Sequence, residues 1–534
     1  MAPQFVTRRH FLDTSLALGA GLLVPSSTIS TFGRAPAIIT SQVMRPLVLS
    51  GVQSGDVTDT RAMIWSRADR PARLVVDWAT NDDFRNARTM VGPAALEHSA
   101  FAAQLDLREL PPGEQIVYRA RFESLEFPGA FSEPVVGRFR TAPRVARRLR
   151  VAWSGDMVGQ GWGIDPTRGG LRIYDAMLRA EPDVFIHSGD MIYADGPLQS
   201  EVTLDDGTVW RNVVTEAKSK VAETLDEFRG NFVYHLMDEQ ARRFHASVPM
   251  IAQWDDHEVV NNWFPGLQLD YDDRYTVKSA SLLAARAKQA MFESVPLRRS
   301  ADEADRVYRR FSYGPLLDIF VVDLRTYRGR NTPNRQTTID ADAMLFGTEQ
   351  LAWLRGALRD SRAIWKVIAC DMPIGLPVAD RVRDGQPTFE AWANADGGPP
   401  SGRELELAGL LSFIKRERIR NIVWVTADVH YAAAHHYAPE RASFTDFDSF
   451  WEFVAGPMNA GTFGPSALDA TFGPEVRFAS VKPGMKANRP PSENLQFYGV
   501  LDIDPSTRAL TAAIHDVTGK RLWAQEIEAD RQVR

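Results

Sequence analysis

Four short apolar runs in this sequence end in acidic or imidazole side chains, and that repeated ending restricts the available folds more than any other feature. Leu149–Ser154 leads into Gly155 and Asp156, and Val184–Ile186 leads into Gly189, Asp190 and Tyr193. Met250–Trp254 leads into Asp255, Asp256, His257 and Glu258, and Asn421–Thr426 leads into Asp428 and His430. Apolar runs of this length, bounded by turn residues, read as buried strands. Between them lie helical patterns: Leu171, Tyr174 and Leu178; Leu282–Phe292; Leu351, Leu354 and Leu358 after a cap at Thr348; and Leu407, Leu410, Leu411 and Ile414. Strands alternating with helices specify an α/β core, and such sheets bind ligands beyond the carboxyl ends of their strands. One Gly-Asp pair after a strand is usually a solvated turn. Four such endings in one chain point to a shared site.

The residue types at those endings suit a metal centre. In Asp428-Val429-His430 one residue separates the two side chains, so on an extended segment both face one side. Carboxylate, phenol and imidazole donors favour Fe(III), Ca²⁺ or Mn²⁺ over a thiolate-type zinc site. Asp195 and Asp255 are expected to support or cap the site, while Asp371, after the strand Trp365–Cys370, could be ligand or bystander. Arg325 and Arg328 follow the strand Leu317–Val322; a guanidinium pairs well with phosphate oxygens, but a surface salt bridge is the commoner use. His187, His435 and His436 read as structural, and Trp153, Trp162 and Trp254 as core or pocket wall.

Residues 46–141 have a different pattern. Leu74, Val76 and Trp78 alternate on one face, as do Ile116, Tyr118, Ala120 and Phe122, with Pro111-Pro112-Gly113 as punctuation. This predicts a small all-β sandwich. The Pro- and Arg-containing stretch Thr141–Arg150 marks a boundary, beyond which residues 148–527 form the second domain. Glu201–Arg211 reads as a hairpin turning at Asp206-Gly207. The connections Gly196–Gly230, Ala379–Gly402 and Pro457–Pro491 are long enough to be lids or specificity elements.

Residues 1–37 read as a twin-arginine export signal: Arg8-Arg9 precedes the apolar segment Leu16–Val24, and Ala35-Pro36-Ala37 supplies the cleavage pattern. That apolar segment is shorter than the roughly 20 residues a membrane span needs. The expected partners are therefore the twin-arginine machinery and a substrate, with a periplasmic or secreted location and no stable membrane span after cleavage. A net charge of −6 gives no electrostatic ground for a nucleic-acid partner. The one cysteine, Cys370, excludes an internal disulfide and reads as a core residue.

Gly189–Asp195, Trp254–Asn262 and Ala427–His430 together resemble the metallophosphoesterase superfamily, and within it the PhoD-type alkaline phosphatases. The Gly-Asp-x-x-Tyr portion is also similar to purple acid phosphatases, in which the tyrosine binds Fe(III). The resemblance covers nearly the whole mature chain. It implies a four-layer β-sheet core flanked by helices, preceded by the smaller β-sandwich, and a centre of two or more metal ions, Fe(III) and Ca²⁺. By position, Asp190 would bridge the ions and Tyr193 and His430 would bind the iron. Asp256 and Asp428 would hold the second ion with help from Asn262, and His257 would be the catalytic histidine. PhoD-type enzymes often carry a cysteine ligand after the first catalytic strand; here Ser154-Gly155-Asp156 puts a hard carboxylate there instead. The implied activity is exported phosphate-ester hydrolysis by in-line attack of metal-bound hydroxide, with His257 stabilising phosphoryl oxygens or protonating the leaving oxygen. A phosphodiesterase or phospholipase-D-type hydrolase, and an exported metal- or phosphate-binding protein without turnover, are the alternatives.

Overall fold

The central strands are buried along nearly their whole length, and successive side chains that join different apolar clusters build two sheets face to face. In Leu149–Ser154, Val184–Ser188 and Met250–Gln253, the side chains of Val151, Trp153, Val184, Ile186 and Ile251 join one apolar cluster. Ala152, Phe185, Met250 and Ala252 join another on the opposite face. The same division runs through Leu317–Val321, Trp365–Ala369 and Ile422–Thr426: Ile319, Val367 and Val425 face the shared cluster, and Phe320, Ile368 and Trp424 face away. Successive strand residues point to opposite faces, so strands apolar on both sides must be covered on both.

The computed structural model describes residues 42–383 and 385–530; the expected export signal lies outside them. Among the described residues, one nine-stranded sheet runs in spatial order Arg521–Ile527, Leu510–Asp516, Phe497–Ile503, Leu149–Ser154, Val184–Ser188, Met250–Gln253, Val52–Gly55, Ala62–Arg67, Ala102–Leu107. A seven-stranded sheet runs Arg309–Tyr313, Leu317–Val321, Trp365–Ala369, Ile422–Thr426, Phe450–Val454, Ala433–Tyr437, Pro474–Ala479. In each sheet the site-bearing strands belong to a parallel central set, Leu149–Ser154 being antiparallel only to Phe497–Ile503, so their carboxyl ends share one edge. Close sheet pairing needs Gly499 opposite Trp153, because a Cβ there would lie 2.1 Å from the indole ring.

Helices complete the outer layers. Ile173–Arg179, Leu225–Tyr234, Glu239–Ser247 and Ala280–Ser294 cover the first sheet through Tyr174, Phe228, Phe244 and Leu283. Thr348–Asp360 and Glu404–Arg416 cover the second through Leu354, Leu358, Leu407 and Leu411. The result is a four-layer helix–sheet–sheet–helix core. Thr348 is the first helical residue rather than the cap; the cap position is Gly347, at φ 72° and without a side-chain hydrogen bond.

The N-terminal region is an all-β sandwich. A four-stranded sheet, ordered Arg88–Ala95, Ala72–Ala79, Gln115–Ser124, Val135–Arg140, presents Leu74, Val76, Tyr118 and Phe122 to Val52, Ile64 and Leu107. The strands bearing Val52, Ile64 and Leu107 are also the far edge of the nine-stranded sheet, so the sandwich and the core share backbone hydrogen bonds. Buried Asp56 reinforces that junction, accepting from Arg309 Nη2 at 2.8 Å and Arg298 N at 2.7 Å. The long connections carry structure of their own. Glu201–Thr203 and Val209–Arg211 form the expected hairpin, Ala379–Arg383 pairs with Gln386–Phe389, and Pro474–Ala479 adds an edge strand. No helix among the described residues is long and apolar enough to cross a membrane.

Candidate metal centre

Three of the four strands deliver their ligand-type groups through an abrupt reversal of the backbone. Asp156, Asp190, Asp428 and His430 have φ of 64°, 50°, 69° and 59°. L-residues rarely enter this left-handed region; Asp, Asn and His tolerate it best, and such residues gather at functional sites. Gly189 has φ 97°, and a Cβ there would lie 2.5 Å from the Cβ of Asp255. Main-chain bonds knit the reversals together: Met157 N donates to Asp190 O at 2.8 Å, Asn459 N to Asp156 O at 3.2 Å, and Ala427 N to Asp371 O at 2.9 Å. Both sheets therefore supply side chains to one place.

Three overlapping groups of ligand-type atoms result, each with all its atoms within 4.8 Å of one another. Asp156, Asp190 and His430 form the first; Asp190, Asp256 and His257 the second; Asp255, Asp256 and Asp428 the third. Asp190 thus belongs to two groups, as does Asp256. Tyr193 joins the first, with its Oη 2.7 Å from His430 Nε2. His430 Nδ1 donates to the Gly461 carbonyl at 2.5 Å, which leaves the Nε2 lone pair directed at Tyr193 and at Asp156 Oδ1, 3.7 Å away.

These carboxylates are buried and short of partners. Both oxygens of Asp156, Oδ1 of Asp256, Oδ2 of Asp255 and Oδ2 of Asp371 lack hydrogen bonds. Burial, then the charges of Asp256 and Asp255, pushes the Asp190 carboxyl well above its usual range. Burial and Asp255 do the same to Asp156 and Asp428. Like charges held this close out of water call for a compensating cation. The Asn262 amide lies beside the same groups, its nitrogen donating to Asp256 Oδ2 at 3.2 Å and Glu390 Oε1 at 3.0 Å. Carboxylates, a phenol, an amide and an imidazole form a donor set that fits hard, oxygen-preferring cations.

His257 lies over the same centre. Its Nδ1 is 2.8 Å from Asp195 Oδ1, its backbone N donates to Asp190 Oδ1 at 3.1 Å, and its ring stacks on Tyr193 at 4.2 Å between centroids. Burial disfavours its charge, but Asp195 and Asp256 outweigh that and raise its pKa to about 10. Asp195 also accepts from Asn261 N through Oδ2 at 2.9 Å, so its orientation is set from two sides.

The two arginines are buried rather than at the surface. Arg325 is 0% exposed; its Nε donates to Asp255 Oδ1 at 2.6 Å and its Nη1 to Glu390 Oε2 at 2.5 Å. Arg328 is buried beside it, 3.6 Å from Glu390. Arg325 is the counter-charge to Asp255 and Asp371, which surround it. Asp371 lies behind Asp255, outside the three groups. His187 is buried beside Phe185, His435 bonds Glu452 at 3.0 Å, and Trp153 and Trp254 are core residues. Trp162 packs edge-on against Trp210.

The sequence reading placed Glu258 at a strand ending without giving it a role, and it missed two further supporting residues, Lys218 and Glu390. Glu258 accepts from Met191 N at 2.6 Å and Asp255 N at 2.8 Å, joining the endings of two strands. Lys218 donates to the Tyr193 carbonyl at 2.9 Å from a fully buried position. Glu390 neutralises the arginines from within the long Ala379–Gly402 connection. A lone Glu between Phe389 and Ala391-Trp392 was the available signal, since an acidic residue in an apolar stretch needs a buried partner.

The PhoD-like phosphatase family model matches residues 151–514, and that of the PhoD-like phosphatase N-terminal domain matches residues 33–143. The chain is 28% identical over 435 residues to alkaline phosphatase D of Bacillus subtilis (strain 168), covering 77% of this chain and 69% of that protein. Among solved structures it is similar to PhoD, with TM-score 0.66, 21% identity and coverage of 90% of this chain and 92% of the other. It is also similar to a purple acid phosphatase from yellow lupin (Lupinus luteus) seeds, with TM-score 0.53, 13% identity and coverage of 91% and 74%.

Proposed function

This chain belongs to the PhoD-like phosphatase family and is a phosphoric ester hydrolase, and from that premise we propose that it is exported and hydrolyses phosphate esters with metal ions bound at the Asp190 cluster. The observation that carries the reading is the set of buried, unpartnered carboxylate oxygens gathered from the carboxyl ends of two sheets. Asp156, Asp190, Tyr193 and His430 would hold an Fe(III) ion, and Asp190, Asp256 and Asp428, with Asn262, a Ca²⁺ ion. Bound cations supply neutralisation of the phosphoryl charge and activation of water for in-line attack.

The protein's own groups do the rest. Asp195 fixes the His257 ring through Nδ1, so Nε2 is the atom free to carry a proton to a phosphoryl or leaving-group oxygen. The Gly461 carbonyl fixes the His430 ring in the same manner, keeping its Nε2 unprotonated for ligation. Arg325 pairs with Asp255 Oδ1 and so supplies a counter-charge to one carboxylate of the third group. Residues 1–37 would direct the folded chain through the twin-arginine pathway to the periplasm or beyond.

Assays of purified protein on chromogenic phosphate mono- and diesters, with and without added Ca²⁺, test the reaction. Monoester turnover that depends on Ca²⁺ is expected, and a clear diester preference would assign the diesterase reading instead. No hydrolysis of either by metal-loaded protein would refute both. A visible tyrosinate-to-Fe(III) absorption that disappears in Tyr193→Phe is expected, and metal analysis finding only zinc or manganese would exclude iron.

A further inference from the structure

A cavity of about 280 Å³ lies between the 168–173 turn, Trp210, the 458–459 segment and residues 491–496. Its lining includes Arg168 and Arg172 and no acidic residue. Arg168 is partly neutralised, 3.6 Å from Asp165. The guanidinium of Arg172 makes one hydrogen bond, from Nη2 to Asn494 Oδ1 at 2.7 Å, and has no carboxylate within ion-pair distance among the described residues. Gln496, in the same lining, is 2% exposed, and neither its Oε1 nor its Nε2 has a partner. Native proteins seldom leave a buried amide unpaired, and an ordered water or ion is the usual explanation. At roughly 30 Å³ per water the cavity has room for about nine waters, and so for a phosphate-sized anion with part of its hydration shell.

We propose that this cavity is a binding site for a small oxyanion, held by Arg172 and by the Gln496 amide. Guanidinium and amide N–H groups match the oxygens of phosphate or carboxylate, and the absence of lining carboxylates removes the repulsion such an anion would meet. The carboxylate cluster has the opposite polarity, so the two sites select different charges. They share one segment: Met458 N donates to Gly155 O at 2.8 Å and Asn459 N to Asp156 O at 3.2 Å, while both residues line the cavity.

Calorimetric titration of the full-length chain carrying Asp190→Asn, which disables the carboxylate cluster, tests this with inorganic phosphate and malonate as separate probes. One equivalent of either is expected to bind, and the probe that binds identifies the class of oxyanion. Adding Arg172→Ala should weaken that binding about tenfold or more, the loss expected for one charge-assisted hydrogen bond. Gln496→Leu, which keeps the volume and removes the amide, should weaken it independently, with thermal unfolding confirming that each variant is folded. No heat with either probe, or unchanged binding in both folded variants, would overturn the proposal and leave a water-filled cavity.

Discussion

At the scale of single residues, the centre depends on groups whose second contact decides their first. His257 faces the cluster because Asp195 takes its Nδ1, and Asp195 is itself held by Asn261 N. Lys218 sits behind both: burial lowers its pKa to about 8 against the pull of Asp195, while its Nζ holds the Tyr193 carbonyl. His257→Ala should lower kcat/KM about 10²- to 10⁴-fold, the usual contribution of a positioned acid or base. Asp195→Asn keeps the shape and loses the charge, and should lower it about 10- to 100-fold, with KM nearly unchanged. Steady-state kinetics on metal-loaded variants checks both. Wild-type activity in Asp195→Asn would remove Asp195 from the positioning role.

At the scale of elements, buried ion pairs tie a strand ending to a long connection. Arg325 joins the segment after Met250–Gln253, through Asp255, to the Ala379–Gly402 connection, through Glu390. Arg403 extends the pairing, donating to the carbonyls of Glu390 at 2.6 Å and Arg330 at 2.8 Å. Breaking one partner of a buried pair strands the other charge, typically for about 3–5 kcal/mol. Glu390→Gln keeps the volume and strands Arg325 and Arg328, so the unfolding free energy should fall by an amount in that range, seen as a lower urea midpoint at constant m-value. A midpoint within error of wild type would show that Asp255 and Asp371 balance the arginines unaided. The element boundaries were largely readable beforehand, since Leu354, Leu358, Leu407 and Leu411 bury as their 3.6-residue spacing requires. The two arginines were not readable as buried, because nothing local in the sequence reveals that Glu390, 65 residues away, neutralises Arg325.

At the scale of the molecule, the helical layer over the first sheet encloses imidazoles that must stay neutral. Burial, then the charge of Lys218, lowers the pKa of His235 to about 4, and burial with His235 and His187 lowers that of His245 further. Such a base binds its proton more readily unfolded, so its stabilising effect is complete above the unfolded value of about 6.5 and is lost as pH falls toward 4. For His235 the loss is roughly 3 kcal/mol. Thermal unfolding measured from pH 7.5 to 4 should show a falling midpoint whose slope is shallower in His235→Gln. Parallel curves for the two proteins would clear this histidine of responsibility.

Period and spacing by themselves determined the α/β core, the N-terminal sandwich and the strand endings from which the site is drawn, because burial on both faces of a strand leaves a local record in residue type. The strand endings and the family resemblance together named Asp156, Asp190, Tyr193, Asp256, His257, Asp428 and His430, and the fold brings these side chains to one edge. Only the tertiary structure decided how those side chains share space: Asp190 and Asp256 each belong to two groups, Arg325 lies sealed behind them, and Glu258, Lys218 and Glu390 hold the backbone that carries them. Charge neutralisation in a dry interior is a sum over neighbours from distant parts of the chain. No window of sequence contains that sum, and the packing of two sheets supplies it.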